Sequence, residues 1–204
     1  MKRVAIVDSG AGNLTSIFNA LKAIGAEPYF WSSAAQAIDC EHLVLPGVGS
    51  FPDGMDRLTS SGLASAVVAH ARAGKPILGI CLGMQLLADH GDEFKPTQGL
   101  GLIPGRVTKL KVESSLFRLP HIGWNDVTFR SGTLTKGLGA SADFYFVHSY
   151  VYEDPTAPYV VGCCEYGAEV VSIIESGNVF GTQFHPEKSQ AAGLTILRNF
   201  LSVC

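Results

Sequence analysis

Three residues of this chain have the types and spacing needed for acyl transfer to a thiol: Cys81, His185 and Glu187. Cys81 stands in Gly79-Ile80-Cys81-Leu82-Gly83-Met84-Gln85, with a glycine two residues to either side, where an apolar run ends. Gly-x-nucleophile-x-Gly is the spacing of a nucleophile elbow, which projects a reactive side chain from strained backbone between a strand and a helix. The flanking glycines let strand and helix approach. Amides at the start of the helix favour thiolate over thiol, and the Leu82 N–H would face an oxyanion formed on an acyl carbon. A small buried hydrophobe, the commonest fate of a free cysteine, fits the same pattern, so a partner base has to decide.

Of the histidines His42, His70, His90, His121, His148 and His185, only the last has a carboxylate at a useful spacing, in Gln183-Phe184-His185-Pro186-Glu187-Lys188-Ser189. At a strand end, residues i and i+2 share a face, so Glu187 is expected to orient the imidazole and favour its charged form. Pro186 cannot donate a ladder bond and marks the end of the strand. A second oxyanion donor is expected from Leu45-Pro46-Gly47-Val48-Gly49-Ser50-Phe51, whose glycines let the amides of Val48 and Gly49 turn toward a ligand. One peptide flip there would supply or remove a donor, so the loop is a reasonable gate.

These residues need a frame that gathers strand ends. Residues 4–7, 43–45 and 76–80 are short apolar runs separated by helical patterns over residues 14–24 and over a long stretch ending at Ala73, the rhythm of βαβ units and a parallel sheet covered on both faces. After Gly105 come strand-like pieces over 105–112, 123–129, 144–151 and 159–165. A hairpin is predicted for 169–175 and 179–185 around Ser176-Gly177-Asn178, and a helix for 190–201. The expectation is one domain over residues 1–204, an α/β fold with a mixed, mostly parallel sheet flanked by helices.

Asp8-Ser9-Gly10-Ala11-Gly12-Asn13-Leu14-Thr15 invites comparison with a dinucleotide-binding turn, but Thr15 occupies the third glycine position and no acidic residue ends the second strand. A tight turn with Asn13 as helix N-cap is the better reading. The 204 residues are 47% hydrophobic and 16% charged, enough for one substantial core. A net charge of -3 gives no general attraction to nucleic acid or anionic lipid. The apolar run at the N-terminus stops at Asp8, too early for a signal peptide, and no segment reads as a membrane span. Five cysteines without metal-ligand spacing suit a reducing cytoplasm, with Cys163 and Cys164 expected to pack on opposite faces of a strand.

The elbow with Phe184-His185-Pro186-Glu187 resembles the class I (triad) glutamine amidotransferases over essentially the whole chain. The segments Pro46 to Phe51, Pro120-His121-Ile122-Gly123-Trp124-Asn125, Tyr145 to Tyr150 and His185 to Ser189 resemble, within that class, the glutaminase subunits of imidazole glycerol phosphate synthases. The resemblance implies a flavodoxin-like fold and hydrolysis of L-glutamine without cofactor or metal. Cys81 would be the nucleophile, His185 the base and acid, and Glu187 its orienting carboxylate. It further implies that Gln85, Glu93, Ser149, Tyr150 and Gly47 bind the substrate, and that Leu82, Val48 and Gly49 hold the oxyanion. Trp124, Asn125 and Lys188 would lie near the junction with a (β/α)₈ cyclase subunit in a heterodimer. A glutaminase serving another synthase would keep the triad but leave Pro120 to Asn125 unexplained; the non-enzyme alternative is a pseudo-enzyme or binding module on the same fold.

Overall fold

The computed structural model describes residues 1–10, 12, 14–34, 40–113 and 115–204. The proposed N-cap Asn13 lies outside the described residues. In the first half, strands β1 (Arg3–Val7), β2 (Glu27–Trp31), β3 (His42–Gly47) and β4 (Ile77–Cys81) alternate with helices α1 (Leu14–Ala23), α2 (Phe51–Ser60) and α3 (Leu63–Arg72). The helical pattern that reads as continuous to Ala73 is two helices. Gly62, at φ +74°, takes a left-handed turn between them, and Ser50 caps α2 by accepting from Asp53 N at 3.3 Å.

The second half contributes α4 (Leu82–Leu86), three short strands β5 (His90–Gly91), β6 (Thr97–Gln98) and β7 (Arg106–Lys109), then β8 (His121–Phe129), β9 (Ser141–His148), β10 (Tyr150–Tyr152), β11 (Val160–Glu165), β12 (Glu169–Ser176), β13 (Val179–Thr182) and α5 (Gln190–Leu201). Nine of these strands form one mixed sheet, ordered β2-β1-β3-β4-β13-β12-β11-β8-β9, and β10-β7-β5-β6 form a second, smaller sheet. Strands β2, β1, β3, β4 and β13 are mutually parallel; the remaining four join antiparallel. The predicted hairpin is present, with Gly177 at φ +59° between β12 and β13.

The continuous apolar strands are buried on both faces. Ala5, Val7, Leu43 and Leu45 face a core shared with Phe51, Leu58 and Val67 of α2 and α3. Val4, Ile6 and Val44 face the other side, with Ile17 of α1 and Ile196, Leu197 and Phe200 of α5. Cys163 belongs to the first core and Cys164 to the second, the alternation expected of adjacent strand residues. Burial pushes their thiols up to about 12 and about 11, so neither is reactive. Among the described residues, no helix is long and apolar enough to cross a membrane.

Strand order is what assembles the site. β4 lies between β3 and β13, with Gly47 opposite Cys81 and Thr182 opposite Ile80, so three segments far apart in the chain leave the sheet at one carboxyl edge. The piece read from sequence as a single strand over 144–151 divides at Ser149. β9 stays in the large sheet while β10 crosses to the small one, and the break turns Ser149 and Tyr150 toward that same edge.

Candidate active site

Cys81 ends β4 with φ +56° and ψ −115°, one of only three non-glycine residues with positive φ among those described. A β-carbon in that region costs of order 1–3 kcal/mol and persists only where surrounding structure imposes it. The imposing contacts are visible at the flanking glycines. A Cβ on Gly79 would come within 2.7 Å of Gly83 O and of Met84 N and Cα, and one on Gly83 would overlap the Leu45 carbonyl. A Cβ on Gly47 would stand 2.9 Å from Gly83 N. Glycine at these positions lets α4 sit directly on β3 and β4. Because α4 has only five residues, its contribution at sulfur is that of the first few amides rather than of a long dipole.

His185 follows β13 beside Cys81. Its Nδ1 is 2.9 Å from Glu187 Oε1, and the two side chains are 7% and 3% exposed. The shared face of a strand is not what joins them. β13 ends at Thr182, and Pro186–Lys188 form a 3₁₀ turn that Pro186 begins, so the turn brings the carboxylate back to the imidazole. Ser189 fixes this turn to β9: its hydroxyl donates to His185 O at 2.6 Å and accepts from Tyr145 N at 3.1 Å, while His185 N donates to Tyr145 O at 3.0 Å.

With Nδ1 held by Glu187, Nε2 is buried and remains for exchange with the thiol. Burial opposes charge on His185 most strongly, but the Cys81 sulfur and then Glu187 outweigh it and raise the imidazole to about 9. At neutral pH the histidine therefore holds a proton that a leaving group can take.

The sulfur lies on a cavity of about 280 Å³ lined by Val48, Gly49, Leu82, Gln85, Glu93, Ser149, Tyr150 and His185, room for a small amino acid. Gly49, at φ +96°, has the left-handed backbone that glycine alone accepts easily, and Val48 is exposed beside it. Glu93 is half-buried and reaches the start of α2, where its Oε2 accepts from Phe51 N at 2.8 Å. Burial raises its carboxyl group.

Gln85 is in the site but less free than a substrate-binding residue is expected to be. Its Nε2 donates to Tyr150 O at 2.8 Å and to Gln183 Oε1 at 3.0 Å, leaving Oε1 for a ligand. Gln183, fully buried, points its own amide at the Cys81 sulfur at 3.9 Å. Sequence reasoning missed Gln183, although an amide in an apolar strand two residues before the histidine was a signal. Of the three residues placed near a partner, Trp124 faces outward, 49% exposed, against Tyr145 on β9, and Lys188 Nζ lies 5.7 Å over the same ring. Asn125 turns to the opposite face and donates to Glu165 O at 2.9 Å.

Residues 5–204 match the family model "Glutamine amidotransferase class-I". The chain is 45% identical over 201 residues to the imidazole glycerol phosphate synthase subunit HisH of Bacillus cereus (strain B4264), spanning 98% of this chain and 94% of that protein. It is 44% identical over 207 residues to the subunit of the same name from Methanosarcina acetivorans, spanning all of both. Among solved structures, a chain of PurLQS from Thermotoga maritima superposes with a TM-score of 0.76 at 24% identity, over 98% of each chain, a likeness of fold.

Proposed function

The chain belongs to the class-I glutamine amidotransferases, and from that premise we propose that it is the glutaminase subunit of an imidazole glycerol phosphate synthase, with Cys81, His185 and Glu187 as its catalytic triad. The observation that carries the triad is geometric: a thiol on a strained elbow shares one cavity with a histidine whose far nitrogen is 2.9 Å from a buried carboxylate.

In this reading the Cys81 thiolate attacks the carboxamide carbon of glutamine, and the amides of Leu82 and of the Val48–Gly49 turn take the negative oxygen. His185 gives its proton to the nitrogen as the C–N bond breaks, releasing ammonia and leaving a γ-glutamyl thioester on sulfur. Water, deprotonated by His185, then attacks the thioester carbon. The C–S bond breaks, the thiolate is restored and glutamate leaves. Glu93 would take the α-ammonium group, while Gln85 Oε1 and the Ser149–Tyr150 segment complete the amino-acid end of the pocket; Gly47, expected there from the resemblance, does not line this cavity and packs against Gly83 and Leu82.

The ammonia serves the synthase reaction, which forms imidazole glycerol phosphate and aminoimidazole carboxamide ribotide. We assign the cyclase as a (β/α)₈ barrel that docks as a heterodimer on the face bearing Trp124 and Lys188, beside the exposed Val48. The test is labelling by a glutamine analogue with an electrophile at the carboxamide position, with and without the cyclase. Cys81 is expected to carry the label, and Cys81→Ala to abolish glutamine-dependent synthesis while ammonia-dependent synthesis continues. An unlabelled Cys81 under both conditions would remove the catalytic assignment, and copurification with a different synthase would remove the pathway assignment.

A further inference from the structure

His121 and His148 have no part in the triad, yet they lie opposite one another in the β8–β9 ladder, 2% and 6% exposed, with His148 on the wall of the glutamine cavity. Their ring nitrogens meet, Nδ1 of His121 to Nε2 of His148, at 3.0 Å. The partners at each end determine every proton in between. His148 Nδ1 is 3.1 Å from Tyr150 O, and a carbonyl can only accept, so Nδ1 carries the hydrogen. In a neutral ring Nε2 must then accept, which makes His121 Nδ1 the donor. His121 Nε2 is left to accept from Asn125 Nδ2 at 3.4 Å, and the Asn125 amide orientation is itself set by its donation to Glu165 O at 2.9 Å.

Packing holds the same arrangement. The His121 ring is stacked between Tyr166, centroids 3.9 Å apart, and Phe146 at 4.8 Å. His121 and Asn125 reach each other along one face of β8 because the residue between them there is Gly123, at φ +136°. At the other end, Tyr150 O accepts from His148 and from Gln85 Nε2 at 2.8 Å, so both its lone pairs are used. Gln85 continues through Gln183 to the Cys81 sulfur.

We infer that His121 and His148 are positioning residues for the glutamine pocket: a one-way chain of N–H donors, from Asn125 through His121 and His148 to the Tyr150 carbonyl, holds the Ser149–Tyr150 segment against Gln85 and so sets the affinity for glutamine. The inference rests on the glutaminase reading for its substrate; the proton placement stands independently of it.

Two measurements on the assembled synthase test it. Nitrogen NMR of the imidazoles at neutral pH should show both His121 and His148 protonated at Nδ1 and bare at Nε2; an Nε2–H form or an imidazolium at either position overturns the chain. His121→Phe keeps a stacking ring but removes the donor, and should raise KM for glutamine about tenfold with kcat changed less than about threefold. His121→Asn restores a donor near the Nδ1 position without the ring, and should return KM to within about threefold of wild type even as Tm falls. A purely structural pair would instead make KM follow Tm through both variants, and that result, or an unchanged KM in His121→Phe, overturns the positioning role. Wild-type enzyme without glutamine turnover would remove the functional reading itself, an outcome distinct from either.

Discussion

Replacing Glu187 by Gln isolates the charge that holds His185, the proposed acid and base. The substitution keeps an oxygen within reach of His185 Nδ1, now 2.9 Å from Glu187 Oε1, and removes the negative charge in a pair only 7% and 3% exposed. A charge-assisted hydrogen bond is worth about twice a neutral one, so the loss is about 1–1.5 kcal/mol of preference for the imidazolium, or about one pH unit. His185, raised to about 9 by Cys81 and Glu187 against burial, should titrate about one unit lower in Glu187→Gln. The fall of kcat/KM at alkaline pH, where His185 has lost the proton that the proposed mechanism has it give to ammonia, should move down by the same interval. The assay is glutamate release by the assembled synthase between pH 6 and about 10, with carbon and nitrogen NMR of the His185 ring as a direct titration. An alkaline limb that stays in place in Glu187→Gln, while the ring titration moves, would show that His185 is not the acid. If neither moves, Glu187 does not hold the proton on His185.

Backbone strain at Cys81 is testable without activity. Ala→Gly at an ordinary buried position costs about 0.8 kcal/mol of burial plus about 0.4–1 kcal/mol of chain entropy. Relief of the positive φ should cancel this, so Cys81→Gly should match or exceed Cys81→Ala in denaturant unfolding; a deficit of about 1.5 kcal/mol would mean the elbow is unstrained. Gly79→Ala drives a β-carbon against the Gly83 and Met84 backbone, so α4 must lift from β4. A loss of about 100-fold or more in kcat/KM is expected, with stability falling by about 1–3 kcal/mol. Acid should weaken the fold through His148 and His121. Burial, with their mutual repulsion adding for His148, lowers them to about 3 and about 4 from 6.5. The unfolded chain therefore binds these protons first, and stability, complete above about pH 6.5, falls as pH drops, by at most about 1.4 kcal/mol per histidine per pH unit. His185, raised to about 9, acts oppositely and withdraws stability as pH climbs from 6.5 through 9. Urea unfolding across pH 5 to 9 should peak near 6.5, and His121→Phe should flatten the acid side.

Much of this protein was legible in the one-dimensional chain because its signals are local. Gly79 of the elbow, the proline after His185 and the apolar runs of β1, β3 and β4 act within a few residues of themselves, and Gln190–Leu201 is the helix its periodicity predicts. The boundary missed in α2–α3 was also local: Thr59-Ser60-Ser61-Gly62 interrupts the apolar pattern, and Gly62 makes the left-handed turn there. Sequence spacing likewise paired His185 with Glu187, although by a 3₁₀ turn rather than a strand face. What the chain could not declare is what depends on register between distant strands. Only the insertion of β13 beside β4 brings His185 to Cys81, and only the division of the strand at Ser149 carries Tyr150 to Gln85. The His121–His148 contact spans 27 residues and exists because one ladder sets them opposite each other; a slip of one residue between the two strands would leave the rings on opposite faces of the sheet. Residue types therefore named the chemistry, while the order and register of the strands determined which groups could take part in it.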